Sequence, residues 1–367
     1  MSKKKPGRFV PFFEDTSVGK MKERIWNMSD KEVAKVLEEE YEIPSPGELD
    51  KPGCYIQNTP RADLVKNRRK NDVVIIPVGS TECHGDHLVS GHDTYQVARI
   101  AEAVRRKTKK MGAAVNIALP ISYGCHPPWH QGMYGTVMLN DDALEQSIMQ
   151  IMYGLWNDGF RKQIWFNNHA HQNEIEKALK RFMNTYQLPG FYVAPELQRT
   201  VREFFETKEH GGKFETRFVH ADEAETSMGL LLFPEMIKME HSVDTGPMSD
   251  YKYFPDGHFD LSAEDLCRPN TYRTRAGDLP LEIVATPEGV VGKATLGDAE
   301  KAKWPILAVC EYLVLLQKEI LETWPVGTVP EPEKTTFRTN KEMEPYLKEP
   351  GSKGWKSVYY LPRIGPY

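Results

Sequence analysis

Between residues 72 and 233 the chain switches repeatedly between two hydrophobic rhythms. Residues 72–80 (DVVIIPVGS) are a continuous apolar run closed by glycine, which predicts a buried parallel strand. Residues 93–110 follow with Val97, Ile100, Ala101 and Val104 at i, i+3, i+4 and i+7, the spacing of one helix face. Residues 113–120 (AAVNIALP) predict a second strand. Asn140 or Asp141 caps a helix reaching about residue 158, with Leu144, Ile148, Ile151 and Leu155 as its stripe and Gly159 as its stop. A strand is predicted over 162–167 (KQIWFN) and a helix over 174–187, faced by Ile175, Leu179 and Phe182. A fourth strand over 190–194, a short strand over 216–219 leading into His220, and a helix over 223–233 complete the series. Residues 298–323 predict a long closing helix.

Strand and helix alternating in this way predict an α/β fold, a three-layer arrangement with a mostly parallel central sheet and helices on both faces. The expected organisation is a single domain over 71–325. An N-terminal extension over 1–70 wraps it as a strap, because Pro6, Pro11, Pro44, Pro46, Pro52 and Pro60 leave room for one helical stretch, residues 30–40. Residues 241–285 break the rhythm and read as an inserted loop region or an oligomer contact. The Pro- and Lys-rich tail over 326–367 is expected to be extended.

Composition narrows the function classes. Hydrophobic residues at 40% and charged residues at 27% fit an ordinary globular protein. The net charge of -5, with no basic patch, argues against nucleic acid as a main partner. No run of 18 apolar residues occurs, so no membrane partner is expected. Lys3, Lys4 and Lys5 are not followed by an apolar run, so no secretory signal is expected. The five cysteines form no CxxC pair, which fits a reducing cytoplasm.

Histidine is the informative residue: seven of the eleven fall between residues 82 and 172. Polar clusters follow three of the predicted strands, where the functional loops of open α/β sheets lie. In the first, Glu82 and His84 are two apart and point the same way in an extended loop, a pairing suited to a divalent transition metal. Asp93 is either a helix cap or a bridging ligand; with Glu82 and His84 upstream, ligation is the preferred reading. In the second, His169 and His171 read as one ligand and one residue orienting a neighbour. The third, His220 to Thr226, has acidic residues that the helix dipole alone explains, but at this sheet edge it can supply a last carboxylate and a titratable histidine. Cys83 and Cys125 read as buried small residues, not nucleophiles.

Four ordered motifs carry a family resemblance. Pro77 to Gly85 with Asp93, Gly124 through His130 to Gly135-Thr136, Asn168-His169 with Asn173, and His220-Ala221-Asp222-Glu223-Ala224-Glu225-Thr226 resemble the motifs of the creatininase family. The resemblance implies a metal-dependent hydrolase with two divalent ions per subunit (Zn²⁺, Mn²⁺ or Fe²⁺), usually oligomeric and often hexameric. It gives Glu82 and His169 to one ion, His84 to the other, Asp93 to both, and Glu225 to the second. His171 stands where creatininase has a ligating carboxylate, so it is a further candidate, and His220 matches a proton-shuttling residue. Asn168, Ala170 and His171 depart from the family's glycines, and His126, Met133 and Tyr134 from its usual loop, which implies a substrate other than creatinine. Residues 53–60 (GCYIQNTP) resemble one branch of the family, the hydrolases of inositol breakdown that open 3-dehydro-scyllo-inosose.

The expected chemistry is metal-assisted hydrolysis of a small polar cyclic carbonyl compound, by C–C cleavage of a diketone or C–N cleavage of a cyclic amide. His220, Glu225 and His171 are the expected catalytic groups. His126, Trp129, His130 and Tyr134 are the expected substrate contacts; Trp129 and Tyr134 are equally candidates for packing. A metal-dependent polyol isomerase or lyase is a rival, recognised by no net uptake of water. A metal-binding scaffold is another, and loss of turnover in a folded Asp93→Asn variant would exclude it.

Overall fold

The computed structural model of the protein describes residues 11–125, 133–245 and 288–365. Most of the 241–285 segment, and His126, Trp129 and His130, lie outside the described residues. The main elements in order are helices α1 (Ser17–Trp26), α2 (Asp30–Val36) and α3 (Arg61–Arg68), strand β1 (Val73–Val78), α4 (His92–Lys110), β2 (Asn116–Ile117), α5 (Asp141–Asn157), β3 (Lys162–Asn167), α6 (Gln172–Tyr186), β4 (Phe191–Val193), α7 (Glu223–Leu232), α8 (Ala299–Thr323) and α9 (Asn340–Leu347). The four strands are all parallel, in the order β2-β1-β3-β4, with Val73 opposite Lys162 and Val78 opposite Asn167.

Alternation along the central strands builds two cores. Val73 and Ile75 of β1, with Ile164 and Phe166 of β3, enter the core beneath α4, α7 and α8. Val74, Ile76 and Val78, with Trp165, enter the core beneath α5 and α6. Helices therefore cover both faces, and both central strands are buried along their full length, which is why the sequence there is continuously apolar. Each such aliphatic side chain contributes about 1.5–3 kcal/mol of hydrophobic stabilisation.

At the lower end of the sheet, away from the metal-ligand candidates, Lys162 is fully buried and its Nζ donates to Asp72 Oδ1 (2.8 Å), Asp72 Oδ2 (3.0 Å) and Pro325 O (3.0 Å). Asp72 also accepts from Gly327 N at 2.9 Å, so the pair joins β1, β3 and the chain leaving α8.

Several expectations need correction. The 30–40 helix is one of three α-helices among the described residues before residue 71. In α1, capped by Thr16, Met21 and Ile25 face the core and the helix packs on α8. The 113–120 strand shortens to two residues. No strand forms over 216–219. Glu215 N and Thr216 N donate to the buried Glu223 carboxylate and Val219 N donates to Asp222, so these donors go to side chains and not to a ladder. The tail is not simply extended: it carries α9, and the buried Arg338 fastens it. Arg338 donates to Tyr186 O (2.9 Å) and Pro362 O (2.7 Å) and pairs with Glu342 (2.6 Å). Arg338→Met leaves those carbonyls without their donor and is expected to cost about 1–3 kcal/mol. An unchanged melting temperature would show that the tail is held by its apolar contacts alone.

Candidate metal centre

The site is assembled where β1 and β3 end. Gly79 closes β1 directly under the first turn of α4. A Cβ there would lie 2.4 Å from Thr94 N, so a larger residue would push the helix away. The loop beyond is pinned by main-chain bonds. Glu82 N donates to Ser90 O at 2.8 Å, Val137 N to Thr81 O at 3.0 Å, and Cys83 N to Thr136 Oγ1 at 3.0 Å. Asn167 ends β3, and its amide donates to His169 O at 2.7 Å and Gln172 Oε1 at 3.1 Å, fixing the turn that carries His169. The third segment turns through Ala221, whose φ of +48° is left-handed and strained for a residue with a side chain. Asp222 holds this turn by accepting from Val219 N, Ala224 N and Glu225 N. Burial pushes the Asp222 carboxyl up to about 7.

These segments and the first turn of α4 bring together Glu82, His84, Asp93, His169 and Glu225, but not the further candidate His171. Among the described residues, three groups have ligand atoms within 4.8 Å of one another: Glu82, His84 and His220; Glu82, Asp93 and His169; and His84, Asp93 and Glu225. Glu82 Oε2 lies 3.0 Å from His169 Nε2, and His84 Nε2 lies 3.5 Å from both Asp93 Oδ1 and Glu225 Oε2. Glu82, His84, Asp93 and Glu225 are all buried. Asp93 does not cap its helix. Gly91 occupies the cap position, and no cap hydrogen bond from a side chain is made there.

The donor set suits a divalent cation. His84 Nδ1 faces Glu82 O at 3.0 Å; a carbonyl only accepts, so Nδ1 carries a proton and Nε2 is the atom turned toward Asp93 and Glu225. A bare imidazole nitrogen and two carboxylate oxygens converging out of water repel one another unless positive charge lies between them. Asp93 Oδ2 is buried without a hydrogen-bond partner. Among the described residues, no lysine or arginine pairs with Asp93 or Glu225. Burial alone would lower the His84 pKa, but the Asp93 and Glu225 carboxylates outweigh it and raise the pKa well above the usual imidazole range. His169 moves the same way, with Glu82 outweighing burial. Burial, then Asp93 and Asp222, raise Glu225 well above the ordinary carboxyl range, although His84 opposes them.

The other expected residues divide. His220 Nε2 donates to Cys83 O at 2.8 Å, its ring lies 4.4 Å from the His84 ring, and its Nδ1 lies 4.0 Å from Glu82 Oε1. His171 belongs to none of the three groups. Its Nδ1 lies 3.0 Å from His169 Nδ1, and its ring fills the space that a side chain at Gly124 would need. Tyr134 is fully exposed. The sequence reading missed His92 and Gln96. Both are fully buried polar residues in the first turns of α4; the signal for Gln96 is a polar residue one turn after Asp93, and for His92 a polar residue one turn before Gln96 on the same helix face.

Comparison with known proteins gives the family and the fold. The family model for creatininase (creatinine amidohydrolase) matches residues 58–316. The 3-dehydro-scyllo-inosose hydrolase of Thermotoga maritima is 41% identical over 307 residues, covering 84% of this chain and 96% of that protein. Among solved structures, a creatinine amidohydrolase (creatininase) aligns with a TM-score of 0.54 at 20% identity, over 74% of this chain and 98% of its own. A manganese form of creatininase aligns with the same score and identity, over 74% and 99%. With both the family model and a full-length relative in agreement, the chain belongs to the creatininase family and is a metal-dependent hydrolase.

Proposed function

We propose that the protein hydrolyses a C–C bond of 3-dehydro-scyllo-inosose, opening the ring of this diketo-inositol with the consumption of one water. The observation that carries this reading is the 41% identity to a hydrolase of that substrate across 96% of its length. Two divalent ions per subunit would be held, one by Glu82 and His169 and one by His84 and Glu225, with Asp93 available to either; Mn²⁺, Zn²⁺ and Fe²⁺ suit this donor set. Bound there, they supply Lewis acidity toward a carbonyl oxygen and acidify water to near neutrality.

Water adds to one carbonyl carbon of the 1,3-diketone. The bond to the carbon between the two carbonyls breaks, and its electron pair leaves as an enolate stabilised by the second carbonyl. The attacked carbon becomes the carboxylic acid, and the enolate carbon takes a proton. His220 is the residue assigned to carry that proton: its Nε2 is anchored on Cys83 O, which leaves Nδ1 facing the site. His171 orients His169 through their Nδ1 atoms. His126, Trp129, His130 and Tyr134 are assigned to the substrate.

We further assign the catalytic domain to residues 71–325, with strap and tail packed on it, and a cytoplasmic location, supported by the free cysteines Cys54, Cys83, Cys125 and Cys310. No helix among the described residues is long and apolar enough to cross a membrane. A homo-oligomer, a hexamer by family resemblance, is supported by the exposed rings of Phe337 and Tyr360.

The test is NMR observation of 3-dehydro-scyllo-inosose with the metal-loaded protein. Appearance of a ring-opened carboxylic acid is the expected result. An inert diketone alongside turnover of creatinine or another cyclic amide would overturn the substrate and favour the C–N reading that the creatininase model suggests.

A further inference from the structure

Three buried side chains outside the ligand groups form one hydrogen-bonded line ending on Asp93. Asn168 Nδ2 lies 3.4 Å from Asp93 Oδ1 and donates to Gln96 Oε1 in a short contact. Gln96 Nε2 lies 2.5 Å from His92 Nε2. The polarity of the line follows from its end. A carboxylate oxygen accepts, so Asn168 turns its NH₂ toward Asp93; the second N–H of that group then meets Gln96 Oε1, and Gln96 Nε2 must donate to an unprotonated His92 nitrogen. Turning either amide over would set two oxygens or two NH₂ groups against each other.

The far end of the line is rigid. His92 is fully buried, with its ring 5.3 Å from that of Phe233 and its Cε1 3.0 Å from the position of a Cβ on Gly229. Gln96 is fully buried and Asn168 nearly so. Asn168 is also one of the departures from the family's glycine at this turn, where a glycine would have no side chain to donate.

We infer that His92, Gln96 and Asn168 are a positioning chain that fixes the rotamer of the Asp93 carboxylate between the two metal positions, with Gln96 as its indispensable link. The inference rests on the proposed bridging role of Asp93. The three residues act by holding Asp93 Oδ1, the oxygen that also lies 3.5 Å from His84 Nε2, so that the carboxylate keeps the rotation in which both oxygens face the ligand groups, and outer partners of ligands commonly alter metal affinity 10–100-fold.

The test uses the metal-stripped full-length protein, with Mn²⁺ as the probe. Gln96→Met keeps the volume and removes both hydrogen-bonding functions. It is expected to weaken Mn²⁺ binding about 10–100-fold in a chelator competition and to alter the Mn²⁺ EPR spectrum. Asn168→Ser, in the loop after β3, carries the same expectation if Gln96→Met does not fold. The double variant should bind no more than a few-fold worse than the weaker single variant, because one broken link already frees Asp93. Wild-type Mn²⁺ affinity and spectrum in either folded single variant, or losses that multiply in the double variant, would overturn the inference. If those variants bind normally while Asp93→Asn does not, only the chain is wrong. If Asp93→Asn also binds normally, the proposed site fails with it.

Discussion

Asp93→Asn is expected to leave a folded protein whose turnover falls about 10³–10⁴-fold, since several kcal/mol of metal assistance are at stake and each 1.36 kcal/mol is tenfold in rate. Asp93 is the carboxylate common to the Glu82–His169 and His84–Glu225 groups. Asparagine keeps its shape and an oxygen for Asn168, but it removes the charge and one of two donor oxygens. The fold should survive, because the Asp93 side chain caps no helix and Gly91 occupies that position. The measurement is kcat together with metal content per subunit. Chelator-stripped wild-type protein should recover with Mn²⁺ or Zn²⁺, and the variant should not. Full turnover by the variant would remove Asp93 from the site altogether.

Lys162→Met is expected to destabilise the protein by about 3–5 kcal/mol, the usual cost of removing one partner from a buried ion pair. Lys162 is fully buried, and its Nζ joins Asp72 to Pro325 O. After the substitution, Asp72 keeps Gly327 N as a donor but has lost its compensating charge. Exchanging both residues, as Asp72→Leu with Lys162→Met, should recover part of the loss, because no uncompensated charge then remains. Urea unfolding of the single and double variants measures both effects. A single-variant loss under about 1 kcal/mol would mean that water reaches the vacated position and screens Asp72.

The sequence revealed most where one local signal decided the outcome. β3 lies where the apolar run 162–167 puts it, and α4 where its 3.6-residue spacing does. In α1 the apolar Val18, Met21 and Ile25 are interleaved with Lys20, Lys22, Glu23 and Arg24, and that dilution hid a helix whose packing on α8 comes from tertiary contact. The 216–219 strand failed for a different reason: its neighbours' amides are taken by Glu223, a decision made by a side chain on the following helix. In the site, the proposed ligands were legible because each follows a strand or opens a helix at one sheet edge. The partnership of Gln96 with Asn168 was not legible, since the two meet only when β3 is set beside α4. That the cap position before α4 belongs to Gly91 also needed coordinates, because an aspartate near a helix start reads alike in either role.

The alternation of β1 and β3 between the two cores bears on how the molecule comes apart. Val73, Ile75, Ile164 and Phe166 serve one layer, and Val74, Ile76 and Trp165 serve the other, on the same two strands. Melting either helical layer exposes one face of strands that the other layer still needs flat and paired. The layers are therefore not separable units with stabilities of their own; cooperativity is built into the strands. A fragment cut down to one face would inherit half of each strand's anchoring and the whole of its exposed apolar surface.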